Sequence, residues 1–319
     1  MIINNSLLDI KDNFDIFLFD AYGVFWNGNS FFEGSRYVMK QLVNEGKVVC
    51  VLSNTTKDEI EAMNNYIGRG LTNNIYYKYF FSSGQIIRHY LRNGLVKFKT
   101  NPNPKNVYFL GGRGKSVFKN TKYNIVSDME DADFVYCADP ELNQEQYEKY
   151  PHKEHLHKIS GHDLWIMDSL DPFMPEIKKI LELKLPIINA NPDYVANMGT
   201  EKGKNVFVIR NGAFAKYLID NGIEDYLEFG KPHKNTYDFV FDYLKKQDIN
   251  IDKNRTCMVG DTLRTDIRGA VNSGIKGVLC YETGVTAEQI RQGKSFDDLI
   301  KEENGINVDY IIKSVSGMI

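Results

Sequence analysis

Cysteine is scarce, four residues in 319, and no pair has CxxC spacing. Each sits in an apolar, β-branched run: Cys50 in VVCVLS, Cys137 in FVYCA, Cys257 in TCMVG and Cys280 in GVLCY. In such runs cysteine behaves as a small hydrophobe in a buried strand. A disulfide framework and a thiolate zinc site are thereby excluded, and the reducing cytosol is the expected compartment. Long apolar runs are also missing, since none approaches the roughly 18–20 residues of a membrane span. The N-terminal MIINNSLLDIKDNFDIF breaks its apolar residues with acids and amides, unlike a signal peptide. Nor is there an excess of charge. A formal net charge of −3 gives no reason to expect nucleic acid or an anionic membrane as partner.

What is present is ordinary for a globular chain: 42% hydrophobic and 25% charged residues, enough for a substantial core. The length exceeds that of a usual single domain, so one large domain or two smaller ones are expected. Short apolar runs alternate with amphipathic stretches. FDIFLFD (14–20), KVVCVLSN (47–54) and KYFFSS (78–83) read as strands. GSRYVMKQLVNEG (34–46), KDEIEAMNNYIGRG (57–70) and GQIIRHYLRNG (84–94) read as helices. This order predicts an α/β fold with a parallel sheet covered on both faces, a class that binds ligands at the carboxyl ends of its strands. KFKTNPNPKN (97–106) breaks the pattern with two prolines and several amides and reads as a linker. NVYFLG, DADFVYCAD and LPIINANPD supply further strands around an irregular, His-rich stretch. Alternation then resumes through GAFAKYLIDNG (212–222), YLEFG, HKNTYDFVFDYLKKQ (233–247) and RTCMVGD. The simplest account is a core built from both ends of the chain with a second domain inserted between them.

Polar residues with chemical potential fall at the ends of these runs. Four fragments, FLFDAYGVFWNG (17–28), VLSNTT (51–56), FGKPHKNTYDF (229–239) and MVGDTLRTDIRGAVNSG (258–274), occur in this order. Together they resemble the signature motifs of the haloacid dehalogenase superfamily. The resemblance implies a Rossmann-like core at 1–94 and 201–319 with an inserted α/β cap at 95–200 that closes over the site. It also implies Mg²⁺-assisted hydrolysis of a small phosphorylated metabolite. Asp20 matches the nucleophile, which forms an aspartyl-phosphate that water hydrolyses. A carboxylate is ionised at neutral pH and needs a metal to relieve repulsion from phosphate rather than a base to activate it. Asp261 matches the metal-ligand carboxylate, Asp266 the motif's other acid, and the main-chain carbonyl of Tyr22 a further ligand. Oxygen-only donors suit Mg²⁺. Ser53 matches the hydroxyl on a phosphoryl oxygen, with Asn54 beside it, and Lys231 the cation between nucleophile and phosphate. ANPD (190–193) is close to the TNPD of the α/β-capped branch and marks Asn191 and Asp193 as substrate-binding. Relatives in that branch include N-acetylglucosamine-phosphate, 4-nitrophenyl-phosphate, pyridoxal-phosphate and phosphoglycolate phosphatases.

Tyr22 departs from the phosphatase pattern, in which an Asp two residues after the nucleophile protonates the leaving oxygen and later activates water. The Asp-Ala-Tyr-Gly loop resembles that of 2-haloacid dehalogenases, which need no leaving-group proton. Those enzymes work without metal and carry their cap directly after the first motif. Here Asp261 and Asp266 are both present, and 32 residues, one loop and one helix, separate Asp20 from Ser53. The sequence looks most like uncharacterised members of the capped branch that share the tyrosine. A non-catalytic metal- or ligand-binding relative and a C–halogen hydrolase are the alternatives, and a homo-oligomer stays open. GGRGKS (111–116) fails as a phosphate-binding loop because position 109 is Phe109. It reads as a strand-to-helix turn. His152, His155, His157 and His162 fit no zinc spacing and read as a substrate-facing cap loop. Phe25, Trp26, Phe31 and Phe32 read as a pocket-shaping flap, half of it plain core.

Overall fold

The four residues Ile16–Phe19 are all buried, and their side chains alternate between two hydrophobic clusters. Phe17 and Phe19 join one, Ile16 and Leu18 the other, as the period of two in a strand requires. This strand is central in a seven-stranded sheet of a computed structural model that describes residues 3–318 apart from 58, 113, 152, 159–163, 202 and 203. The sheet order is Ile3–Asn4, Tyr310–Ile312, Lys276–Cys280, Thr256–Gly260, Ile16–Phe19, Val48–Ser53 and Tyr79–Ser82, with every pair parallel. Helix Ser35–Asn44 sets Val38, Met39 and Leu42 against Phe17, Phe19, Val49 and Val51. On the other face, helix Lys234–Lys245 buries Tyr237, Val240 and Leu244 against Ile16, Leu18, Leu52 and Met258. Each such side chain contributes roughly 1.5–3 kcal/mol through burial. The doubly covered parallel sheet read from the sequence is therefore present.

The chain divides into two compact units. The first comprises Met1–Ser53, Glu59–Ser82 and Lys231–Ile319, and the second Asn54–Asp58 and Ser83–Gly230. These bounds differ from the division at 94/95 and 200/201 read from the sequence, because 83–94 and 201–230 fall in the second unit together with 54–58. KFKTNPNPKN lies inside that unit rather than at its border. Its amides are engaged: Thr100 N–H and Oγ1 both donate to Asp225 Oδ2 at 2.8 Å, and Asn101 Nδ2 donates to Asp133 Oδ1 at 3.0 Å. Polar composition there marks a pinned loop, not a tether.

The second unit has its own parallel sheet, ordered Tyr226–Glu228, Ile187–Asn189, Phe134–Cys137, Asn106–Leu110 and Asn124–Val126. Helices Met174–Leu183 and Asn211–Asp220 cover it through Ile177, Ile180, Phe214 and Leu218. The stretch read as irregular holds three short antiparallel strands, Glu141–Asn143, Leu164–Met167 and Leu156–Lys158, and a two-stranded ribbon follows at Val195–Glu201 and Lys204–Ile209. All four cysteines are buried and free. Among the described residues, no helix is long and apolar enough to cross a membrane.

Candidate active site

Parallel pairing decides which residues meet at the carboxyl edge of the first unit's sheet. Phe19 pairs with both Val259 and Val51. Asp20 follows directly, its N–H donating to Val259 O at 2.9 Å, and Asp261 emerges from the neighbouring strand. The strand on the other side ends at Ser53, which is buried and paired with Ser82. Three of the expected residues thus leave adjacent strands at one edge, as the topology demands of a site.

Lys231 is 1% exposed and reaches two carboxylates, Asp20 Oδ1 at 2.5 Å and Asp266 Oδ1 at 2.8 Å. Burial on its own would lower the lysine's pKa, yet the two carboxylates outweigh it and hold the ammonium above the usual lysine range. Asp266 is fully buried, and its Oδ2 accepts from the N–H groups of Asp261 (3.2 Å) and Thr262 (3.1 Å), fixing the loop between them. Asp261, 3% exposed, accepts Val285 N–H on Oδ2 at 2.6 Å. Burial, then Asp266 and Asp20, push its carboxyl well above the ordinary range.

One oxygen each from Asp20, Asp261 and Asp266 lie within 4.8 Å of one another. Among the described residues, three carboxylates, Asp261 and Asp266 buried and Asp20 partly so, face the one Lys231 ammonium, an excess of negative charge that is unfavourable without a further cation. The donors are all oxygen, and added Cβ atoms at Gly23 and Gly284 would both run into Asp261, to 2.5 Å from its Cγ and Cβ respectively. A hard divalent cation fits this set.

Tyr22 is half-exposed, unlike the buried Asp261 and Asp266. Phe25 and Trp26 are core residues, whereas Phe31 and Phe32 are half-buried. Trp26 packs edge-on to Phe31 (5.0 Å) and Tyr66 (6.2 Å), and the guanidiniums of Arg69 and Arg36 cover Trp26 and Phe31. Nothing in the sequence singles out Tyr66. Burial raises its phenol pKa, and the neighbouring Tyr22 and Asp20 push it the same way. Nor does the sequence single out Tyr237. Its hydroxyl is buried and has no hydrogen-bond partner among the described residues, and burial holds its pKa high. Tyr66 lies outside every motif, and Tyr237 falls within FGKPHKNTYDF (229–239) at a position with no expected role; only packing brings them in.

Asn54, Asn191 and Asp193 belong to the second unit, apart from Ser53 and Lys231. There they form a relay: Asn54 Nδ2 donates to Asp193 Oδ1 at 3.1 Å, and Asp193 N–H donates to Asn191 Oδ1 at 3.0 Å. Asn189, also unremarked in the sequence, extends it by accepting Asn191 N–H and donating to Glu228 Oε1. His152 and His162 lie outside the described residues, as does the side chain of His155. His157 Nε2 lies 3.8 Å from Asp168 Oδ2. Lys115–Phe118 forms a short helical turn after the glycines of GGRGKS, the strand-to-helix turn expected there.

Two family profiles match the chain: one described as haloacid dehalogenase-like hydrolase over residues 17–123, the other as HAD-hydrolase-like over 228–316. Phosphoglycolate phosphatase 2 of Arabidopsis thaliana is 26% identical, across 100% of this chain and 97% of its own. The 4-nitrophenylphosphatase of Schizosaccharomyces pombe is 25% identical, across 96% and 93%. Among solved structures, a haloacid dehalogenase-like hydrolase from Brucella suis superposes with TM-score 0.74 at 18% identity, over 97% of this chain and 98% of the other. A possible sugar phosphatase from Cytophaga hutchinsonii gives 0.71 at 20%, over 99% of both. These two likenesses establish the fold.

Proposed function

The chain belongs to the haloacid dehalogenase-like hydrolases, subfamily IIA, and on that premise we propose that it hydrolyses a small phosphoric monoester through an aspartyl-phosphate on Asp20. The observation that carries this reading is the buried cluster in which Lys231 bridges Asp20 and Asp266 beside Asp261. Lys231 grips Asp20 Oδ1, which fixes the rotation of the carboxylate and presents its second oxygen for attack on phosphorus. As the Asp20 O–P bond forms, the bond from phosphorus to the leaving oxygen breaks, and that oxygen leaves with the electron pair and takes up a proton from solvent. Water then attacks the phosphorus, returning the Asp20 carboxylate and releasing inorganic phosphate and a proton. Lys231 and the Ser53 hydroxyl stabilise charge on the phosphoryl oxygens, the kind of term that usually dominates catalysis. Asp20, Asp261 and the Tyr22 carbonyl would hold Mg²⁺, with Asp266 behind them, and the ion would neutralise charge on nucleophile and phosphate.

We assign the second unit as the cap, with Asn54, Asn191 and Asp193 contributing to substrate recognition. Named relatives act on phosphoglycolate and 4-nitrophenyl phosphate, which supports a small phosphorylated substrate. Four free, buried cysteines favour a cytosolic setting. The test is a screen of phosphorylated metabolites with Mg²⁺ and with EDTA, repeated with Asp20→Asn. That substitution removes the attacking oxygen while barely changing volume, so turnover should vanish and the fold persist. Asp261→Asn should lower Mg²⁺ affinity and rate together. Wild-type turnover by Asp20→Asn on a confirmed substrate would refute the mechanism.

A further inference from the structure

The turn after strand Lys276–Cys280 carries two threonines that no motif marks. Thr283 stands at the N-cap of helix Gly284–Arg291, where a threonine hydroxyl ordinarily accepts from the helix's first N–H groups. Here it makes no such bond. Thr283 Oγ1 instead donates to Gly23 O at 2.6 Å. The helix's first N–H groups go to Asp261, Val285 N–H to Oδ2 at 2.6 Å and Thr286 N–H to the main-chain carbonyl at 3.2 Å. Thr286 Oγ1 donates to that same carbonyl at 2.6 Å. Asp261 therefore caps a helix 24 residues downstream, and both threonines are at most 3% exposed.

The nucleophile loop is held from the same turn. Gly23 is fixed on both sides, its carbonyl by Thr283 and its N–H by Trp26 O at 2.8 Å. In a planar trans peptide, C=O and N–H point opposite ways. The bond from Gly23 N–H consequently sets the direction of the Tyr22 carbonyl. The two glycines, both at positive φ, let these segments come together: a Cβ on Gly23 would lie 2.8 Å from the Gly284 Cα.

We propose that Thr283 and Thr286 are positioning residues that preset the metal-binding oxygens, Thr286 by anchoring Asp261 and Thr283 by anchoring the Gly23 carbonyl, in the peptide next to the one that carries the Tyr22 carbonyl. This rests on the reading of the cluster as a metal centre. Groups that orient metal ligands typically change affinity by about 10–100-fold when removed. Mg²⁺ alone is titrated calorimetrically into the full chain, wild type against Thr283→Val, Thr283→Ser and Thr286→Val, with metal-free melts alongside. Valine keeps the shape and deletes the hydroxyl, whereas serine restores it. Thr283→Val and Thr286→Val should each weaken Mg²⁺ binding by about tenfold or more, and Thr283→Ser should bind within a few-fold of wild type. Valine variants that melt earlier yet bind Mg²⁺ as wild type does would show a purely structural role and overturn the inference. If one valine variant fails to fold, the other and the serine variant still decide it. A wild-type chain that binds no Mg²⁺ overturns the metal centre itself, and the inference with it.

Discussion

Lys231 and Tyr22 differ in how far their roles follow from their surroundings. A fully buried ammonium persists only if paired, and Lys231 is paired twice. Tyr22 is half-exposed in the place where family phosphatases carry a carboxylic acid. General acid–base catalysis contributes on the order of 10²–10⁴-fold in rate, and a phenol gives up its proton far less readily than a carboxylic acid, which makes it a poor substitute. Turnover should therefore be slow on alkyl phosphates and relatively faster on aryl or acyl phosphates, whose leaving groups need no proton. Weak activation of water should also slow aspartyl-phosphate breakdown and give a burst of leaving group. Tyr22→Asp should raise alkyl-phosphate hydrolysis and shrink the burst, measured by rapid quench on paired alkyl and aryl substrates. Equal wild-type rates on both, no burst and no gain in the variant would mean that another residue supplies the proton.

Helices and strands place these residues, and one tight helix contact can be tested directly. Gly269 lies in helix Arg268–Ser273, where alanine would ordinarily favour the helix by about 1 kcal/mol. A Cβ there would stand 2.8 Å from Cζ of Tyr237, the buried ring beside Lys231 and Asp266. Overpacking of this kind costs about 1–3 kcal/mol, so Gly269→Ala should destabilise in denaturant melts. Tyr237→Phe should recover part of the loss by removing the colliding hydroxyl. Additive effects of the two substitutions would show that this contact is not the cause. The strand ends carrying Asp20, Ser53 and Asp261 were legible in the sequence because apolar runs stop at polar residues. Helix 234–245 was legible from its amphipathic period. Gly269, Tyr237, Thr283 and Thr286 were not, since their partners lie far along the chain and each looks locally like an ordinary helix or turn residue. The short antiparallel strands around Trp165 were missed for a related reason: three- and four-residue strands give too little alternation to read. The pinned loop at 97–106 misled because Thr100 and Asn101, bound to Asp225 and Asp133, look in the sequence like polar residues that face water.

At the scale of the whole molecule, each unit has a hydrophobic core of its own. Phe17, Phe19 and Val259 belong to the first, and Ile177, Ile187 and Phe214 to the second. The carboxylate cluster lies entirely in the first unit. A chain built this way need not unfold in a single step, and a metal that binds one unit's folded state stabilises that unit by mass action. Phe214 is fully buried and packs edge-on against Phe173 at 4.9 Å. Phe214→Ala should cost the second unit about 3–5 kcal/mol. Sites without shared partners combine additively to within about 0.5 kcal/mol, so the variant should keep its Mg²⁺ dissociation constant within about twofold of wild type. Calorimetric melts with and without Mg²⁺ should then separate two events. Phe214→Ala should lower the transition that Mg²⁺ leaves in place, while Mg²⁺ raises the other in both proteins. A single transition that responds to both changes, together with a tenfold loss of Mg²⁺ affinity in Phe214→Ala, would show that the two cores melt and bind as one.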